Sequence, residues 1–372
     1  MSDIQGYVAP GLEPVRAAFE ASFNEGAELG AGLCVMRGGE TLIDLWGGWR
    51  DSAKSAPWER DTIVSVFSTT KAISALVVAK LVGEGKLDYE APVSALWPEF
   101  GAHGKDKLTL AQVLSHQAGV PGFVEPIDPA LWLDPPACAA AIAALAPLWP
   151  PGSASGYHPL TWGYLLNEIV SRATGRTIGA ILREEICGPA KIDFQIGLPE
   201  ADDARAASMK KPTQIADFGE ITPAKVAAFF SKWSSPPRGD AAWRRIEVPS
   251  ANGHGTARAV AQLFEAYANG GEIGGLRVVD PLAFAELEAR RALGPDLVLP
   301  FTLDWRSGVL GNNNQIYGPN PHALGHSGSG GSCGFGDPGQ RISFGYVMNK
   351  QSHFIMGDPR PLRLIEVLYS CL

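Results

Sequence analysis

Ser68-Thr69-Thr70-Lys71, running into Ala72-Ile73-Ser74-Ala75-Leu76-Val77-Val78-Ala79-Lys80-Leu81-Val82, sets a hydroxyl and an amine three residues apart at the head of an apolar run. Positions i and i+3 share one helix face, so the serine Oγ and the lysine Nζ can meet. A helix apolar on nearly every side belongs in a core. There, desolvation disfavours the lysine ammonium, and the positive end of the helix dipole acts in the same direction. An amine with a lowered pKa beside a serine can take the hydroxyl proton, which activates the oxygen as a nucleophile.

Ser-x-x-Lys alone is a short pattern, and a chain of this length holds roughly one match by chance. A second copy is present, Ser208-Met209-Lys210-Lys211. It follows the polar Glu200-Ala201-Asp202-Asp203 and runs into Pro212, so no apolar helix would desolvate its lysine. The weight of the first copy therefore depends on partners elsewhere.

The 372 residues suffice for one large core or two smaller ones. A hydrophobic content of 45% with 19% charged residues fits a folded chain without extensive disorder. The net charge is −8 and no Lys/Arg block stands out, so nucleic acid is not an expected partner. The start, Met1-Ser2-Asp3-Ile4-Gln5-Gly6, lacks the basic and apolar regions of a secretory signal, and no apolar run approaches a membrane span. The five cysteines are scattered without Cys-x-x-Cys spacing, which fits reduced thiols, so a cytoplasmic protein is expected. His322 and His326 are spaced i, i+4, but Pro321, Gly325 and Gly328 disfavour a helix there and no third ligand is evident. Neither a metal nor another cofactor is expected.

Residues 11–25 predict an amphipathic helix, and residues 30–36 and 41–46 predict strands joined as a hairpin across Arg37-Gly38-Gly39-Glu40. Helical patterns dominate residues 67–255. They include a short helix over 108–116 capped by Thr109 and stopped near Gly119, a helix over 160–173 closing at Gly175, and one within 251–269 ending at Gly270-Gly271. Strands return at 324–336 and 341–349, flanking the turn Asp337-Pro338-Gly339-Gln340, and a helix over 361–368 ends the chain. Strands at both ends with helices between predict an α/β (α+β) fold. Its antiparallel sheet would be built from both termini. The expected organisation is a discontinuous domain of 1–66 and 255–372, a mostly helical domain of 67–254, and an active site at their junction.

Three further stretches fall in order with Ser68-x-x-Lys71. They are Leu114-Ser115-His116-Gln117-Ala118-Gly119-Val120-Pro121, Pro150-Pro151-Gly152-Ser153-Ala154-Ser155-Gly156-Tyr157-His158-Pro159, and Gly325-His326-Ser327-Gly328-Ser329-Gly330-Gly331-Ser332. In order and spacing, over residues 30–349, the chain resembles the serine β-lactamase and penicillin-binding-protein superfamily. Within it the likeness is to the class C β-lactamase-like esterases, the family VIII carboxylesterases. The resemblance implies Ser68 as acyl-accepting nucleophile and Lys71 as its hydrogen-bond partner and proton relay. Tyr157 would be the general base, with a cationic Lys71 lowering a phenol that otherwise titrates near 10. The N–H groups of Ser68 and Ser329 would form the oxyanion hole, commonly the largest electrostatic contribution in acyl transfer.

Two departures select within the superfamily. The usual Lys-Thr-Gly is His326-Ser327-Gly328 here, and a histidine with an ordinary pKa of about 6.5 is mostly neutral above pH 7. Pro159 stands where the second motif has asparagine. Both changes remove anchors for anionic, amide-bearing substrates and leave attack on a neutral ester untouched. The implied partner is a small-molecule ester, with oligomeric state open. The expected activity is a serine carboxylesterase with weak β-lactam turnover at most. A short acyl chain is expected because Trp162, Trp233 and Trp305 would crowd the pocket beside His326, Ser327 and Gly328. The alternatives are a β-lactamase, a D-amino-acid amidase or peptidase or an acyltransferase with the same site, and a non-catalytic binder of penicillin-like ligands or acyl-peptides. Gly330-Gly331-Ser332-Cys333-Gly334 fits the α/β-hydrolase Gly-x-Ser-x-Gly pattern, but a turn and a strand, not a helix, are expected after it. His254 and Asn312-Asn313-Asn314 are further residues that could roof the pocket.

Overall fold

The computed structural model describes residues 3–237 and 242–372; Met1 and Ser2, which open the stretch read for a signal, lie outside. A nine-stranded sheet is built from Ile4–Val8 (β1), Gly30–Arg37 (β2), Glu40–Gly48 (β3), Ala292–Pro295 (β4), Thr302–Trp305 (β5), Leu310–Gly311 (β6), Leu324–Ser327 (β7), Cys333–Asp337 (β8) and Ile342–Met348 (β9). The order across it is β1-β3-β2-β9-β8-β7-β6-β5-β4, and neighbouring strands run antiparallel. The seam between the two ends of the chain is the β2–β9 pair, where Leu33 faces Tyr346 and Val35 faces Phe344.

Side chains alternate between the two faces of a strand, so each face needs its own cover. On β2, Leu33 and Val35 join the cluster packed under helices Glu13–Asn24 (α1) and Pro359–Cys371 (α6), with Phe19 and Leu368. Cys34 and Met36 point the other way, into the core shared with helices Thr69–Gly83 (α2) and Ala257–Ala268 (α5). Strand β9 lets α5 come close through Gly345, where a Cβ would fall 2.3 Å from the Ala257 carbonyl oxygen.

Helix α2 is the buried element its composition demands. Residues from Thr69 to Ala79 and Leu81 are all buried, so it has no solvent face. Leu110–Leu114 (α3) starts with a capping box between Thr109 and Gln112. Thr161–Thr174 (α4) ends on Gly175 in the left-handed conformation, φ +71°. A small sheet of Val64–Ser65, Gly253–Gly255 and Phe194–Ile196 fixes the chain entering α2. No helix among the described residues is long and apolar enough to cross a membrane.

One sequence expectation is corrected. The strand over 324–336 is two strands, β7 and β8, closed by a tight turn at 328–332. Gly330 at φ +86° and Gly331 at φ +133° make that reversal, which an uninterrupted strand cannot contain.

Candidate active site

Ser68 sits at the sharp entry to α2. The preceding Phe67 holds φ +46°, a conformation that is costly for a side-chain-bearing residue and directs the serine into a cavity. One turn on, Lys71 is fully buried. Its Nζ lies 3.3 Å from Ser68 Oγ, 2.9 Å from the Pro159 carbonyl oxygen and 3.0 Å from the Ser250 carbonyl oxygen. Burial depresses this ammonium well below the ordinary lysine range. The amine's N–H groups go to the two carbonyls and to Ser68 Oγ. Pro159, expected to contribute nothing for want of an amide, serves through its backbone.

Tyr157 lies over this pair, with Lys71 Nζ 4.6 Å from its ring centroid. Its backbone N–H donates to Asp296 Oδ1 at 2.9 Å, and the same oxygen accepts from Val298 and Leu299. Trp305 stacks on Tyr157 at 6.0 Å between centroids. Burial raises the phenol above its usual value, and a hydrogen bond with Ser68 pulls it partly back. Burial thus acts on the two groups in opposite directions, raising the Tyr157 phenol and lowering the Lys71 ammonium.

Beneath Tyr157 lie two histidines with no assigned role at the sequence level. His116 Nδ1 accepts from the His158 backbone N–H at 3.0 Å, and His158 Nε2 accepts from the Val120 N–H at 3.0 Å. Both rings are thus specified as neutral tautomers, and burial holds His158 at about 3. His158, next to Tyr157 in sequence, was the available signal, but only the fold brings His116 to it.

The third motif arrives on β7. His326 is 3% exposed, its Nδ1 is 2.8 Å from the Ser327 carbonyl oxygen, and Nε2 has no partner. Burial holds it at about 3, so at neutral pH it carries no charge. Gly328 is needed for close approach, because a Cβ there would fall 2.1 Å from Ser332 Oγ and 2.3 Å from the Val66 carbonyl oxygen. Ser332 is 1% exposed, donates to the Val66 carbonyl at 2.7 Å and sits 3.1 Å from Thr69 Oγ1. It thus clamps the turn to the base of α2. Among the described residues, neither the Ser68 N–H nor the Ser329 N–H donates a hydrogen bond, although their neighbours Thr69, Gly330 and Gly331 do.

Ser68, Tyr157, His326, Ser327, Ser329 and Trp305 line one cavity of about 590 Å³. Trp162 and Trp233, expected to crowd it, do not line it. Trp162 is buried under the floor with its indole N–H on the Leu114 carbonyl at 3.1 Å. Trp233 donates to the Phe123 carbonyl at 2.9 Å, and its own carbonyl accepts from the Trp132 indole at 2.8 Å, which ties the 226–234 segment down. His254 is buried on the small sheet, and Asn312 bonds the Gly318 and Asn320 carbonyls, so neither roofs the site.

The roof comes instead from residues 211–229 and 352–356, including Ile215, Phe218, Phe229 and Met356. Phe218 and Phe229 contact each other at 4.9 Å, and Lys225 Nζ draws the loop closed on the Phe218 and Glu220 carbonyls at 2.6 and 2.8 Å. Lys211, from the second Ser-x-x-Lys, also lines the cavity, and among the described residues no Asp or Glu does. No group of three or more His, Cys, Asp or Glu among the described residues could hold a metal.

The model of the family described as Beta-lactamase matches residues 15–365. The esterase/beta-lactamase LipL of Mycobacterium tuberculosis is 35% identical over 369 residues, covering 95% of this chain and 85% of the relative. A penicillin-binding protein homologue from Caulobacter crescentus superposes with a TM-score of 0.97 at 50% identity, covering 100% of both chains. A family VIII carboxylesterase superposes with a TM-score of 0.92 at 41% identity, again over 100% of both.

Proposed function

The chain belongs to the beta-lactamase family, and we propose that within it the protein is a serine carboxylesterase working through an acyl-enzyme on Ser68. The observation that carries this reading is the buried Lys71, whose Nζ donates to the Pro159 and Ser250 carbonyls and lies 3.3 Å from Ser68 Oγ, with burial lowering its pKa. Lys71 takes the Ser68 proton as Oγ attacks the ester carbonyl carbon. The oxyanion forms against the free N–H groups of Ser68 and Ser329. Tyr157, protonated at rest because burial raises its phenol, donates its proton to the departing alkoxide and is reprotonated by the Lys71 ammonium. Water then enters, gives a proton to Lys71 through Tyr157 and attacks the acyl carbon; as the intermediate collapses, Lys71 returns the proton to Ser68 Oγ and the acid leaves.

The substrate is a neutral ester with a sizeable apolar group. His326 offers no cation, and Phe218, Phe229, Leu299, Ile355, Trp305 and Met356 give the cavity wall broad apolar stretches between its serines. At about 590 Å³ the cavity lies in the range that accommodates a drug-sized ligand. The crowding argument for a short acyl chain weakens, since only Trp305 of the three tryptophans lines the wall. Each methylene buried there contributes about 0.8 kcal/mol, or roughly fourfold in kcat/KM. A p-nitrophenyl ester series from acetate to decanoate tests this. A climb of that slope through at least hexanoate is expected, whereas a fall after acetate contradicts the assignment.

A second reading, β-lactam hydrolysis, draws on the name of the LipL relative and on Lys211, a cation in the wall without an acidic partner. Slow nitrocefin turnover is expected, and nitrocefin kcat/KM exceeding that of every ester would reverse the order of the two readings.

A further inference from the structure

We propose that Arg360 is a positioning residue for the oxyanion turn: its guanidinium, reaching from the start of α6, fixes the 328–332 turn so that the Ser329 N–H points at the reacting carbonyl. The inference rests on the esterase reading, in which Ser329 is an oxyanion donor.

Arg360 is 7% exposed, and a guanidinium has five N–H donors in a rigid fork. All five are used. Nε donates to Asp358 Oδ1 at 3.0 Å, and Nη2 donates to Asp358 Oδ2 at 2.7 Å and to the Gly330 carbonyl at 2.6 Å. Nη1 donates to Glu28 Oε2 at 3.0 Å and to the Lys350 carbonyl at 2.8 Å. Charge balance alone would be met by the two carboxylates. The carbonyl contacts do something else: they tie the residue after Ser329 to the strand-end segment that flanks it.

That segment holds the turn from its other side. Gln351 Nε2 donates to the Ser329 carbonyl at 3.2 Å, the Ser352 N–H to the Gly330 carbonyl at 3.0 Å, and the Gly330 N–H to the Phe354 carbonyl at 3.3 Å. Gly331 lies flat on the guanidinium, where a Cβ would fall 2.4 Å from Arg360 Nη2 and 2.9 Å from Asp358 Oδ2. A Ser-Gly-Gly turn has wide backbone freedom of its own. An oxyanion donor, however, must sit within about 2.7–3.1 Å of the developing charge. A buried guanidinium locked by two carboxylates supplies the missing rigidity.

Arg360→Lys tests this while keeping a cation between Glu28 and Asp358, and Gly331→Ala displaces the turn itself, since at φ +133° its Cβ would meet both Arg360 Nη2 and Asp358 Oδ2. Loss of a whole oxyanion donor costs about 10²–10³-fold in kcat, so a misaimed donor should cost about 10–100-fold. The expected result in both variants, with p-nitrophenyl butyrate, is that drop in kcat with KM within about twofold. The Ki of phenylboronic acid, whose Ser68 adduct places an oxygen in the oxyanion hole, should rise in parallel. A lowered melting temperature with kcat and boronate Ki within twofold of wild type assigns Arg360 to the core alone and overturns the proposal. If Arg360→Lys does not fold, Asp358→Asn, which loosens the guanidinium without removing it, decides by the same readouts. The underlying reading is checked separately: Ser68→Ala that still hydrolyses butyrate at the wild-type rate refutes the esterase assignment, whatever Arg360 does.

Discussion

The floor and the roof of the cavity enclose the same serine by opposite means. In the floor, Lys71 donates to two main-chain carbonyls, Asp296 gathers three backbone N–H groups around Tyr157, and His116 and His158 are fixed as neutral tautomers. The roof is an irregular segment of apolar side chains, with Ile215 82% exposed and Ile221, Val226 and Phe230 also open to solvent. Reactivity is thus set where burial and hydrogen bonding over-determine each group. Selectivity is set where individual side chains can change without disturbing the chemistry. Substitutions in the floor should move kcat for all esters alike, and substitutions in the roof should move kcat/KM for some esters only.

The largest effect belongs to Ser68. Ser68→Ala should lower p-nitrophenyl butyrate turnover by about 10⁴–10⁶-fold, as for other serine nucleophiles, with no acyl mass added to the protein by an activated ester. Lys71→Met should follow, with a loss in kcat of about 10²–10⁴-fold, the share of a positioned general base. Its burial also sets the pH profile. In the proposed mechanism the base works unprotonated, so activity falls as pH drops through the depressed Lys71 value, whereas burial holds His158 and His326 at about 3. The kcat/KM profile should therefore carry one acid limb and no histidine inflection between about pH 6 and 8. An inflection near 6.5 that disappears in His326→Asn would mean that His326 titrates in the cavity and that the floor is wetter than its hydrogen bonds imply.

The floor was legible in the sequence because its signals are local or spaced by regular elements. The apolar run after Lys71 has one solution, a core helix, and Thr109 and Gly175 mark helix ends by cap chemistry. Ser329 could be matched by its place after His326-Ser327-Gly328. Its geometry could not, because the reversal between β7 and β8 depends on Gly330 and Gly331 packing against Arg360, far along the chain. The electrostatics were also hidden: burial, a tertiary property, lowers the Lys71 ammonium and raises the Tyr157 phenol, and residue type signals neither. The roof gave almost no signal. It has no periodicity, and the tryptophans that drew attention, Trp162 and Trp233, brace the walls from outside.

Roof predictions are smaller and depend on the substrate. Phe229→Ala removes one side of the Phe218–Phe229 contact. The apolar burial lost is worth about 1.5–3 kcal/mol only to a substrate that reaches it. p-Nitrophenyl octanoate should lose about tenfold in kcat/KM while the acetate stays within twofold, so the chain-length slope flattens. Equal losses for both esters would place Phe229 in the floor's service and erase the division between floor and roof.

The smallest effect tests the one charge in the wall. Lys211 lines the cavity without an acidic partner, and its neighbour Lys210 is pinned beside the oxyanion turn, its N–H donating to the Asn349 carbonyl at 2.7 Å and its carbonyl accepting from the Gln351 N–H at 2.9 Å. A solvent-exposed cation attracts a substrate carboxylate by only about 0.2–1 kcal/mol. Lys211→Met should therefore leave neutral esters unchanged and lower kcat/KM for nitrocefin or a succinate hemiester by about two- to fivefold, less at high salt. His326→Lys should raise the same anionic substrates if a cation at the third motif is what the site lacks. If Lys211→Met is silent and His326→Lys restores anionic turnover, discrimination against carboxylates resides in the floor, and the roof sorts substrates by apolar bulk alone.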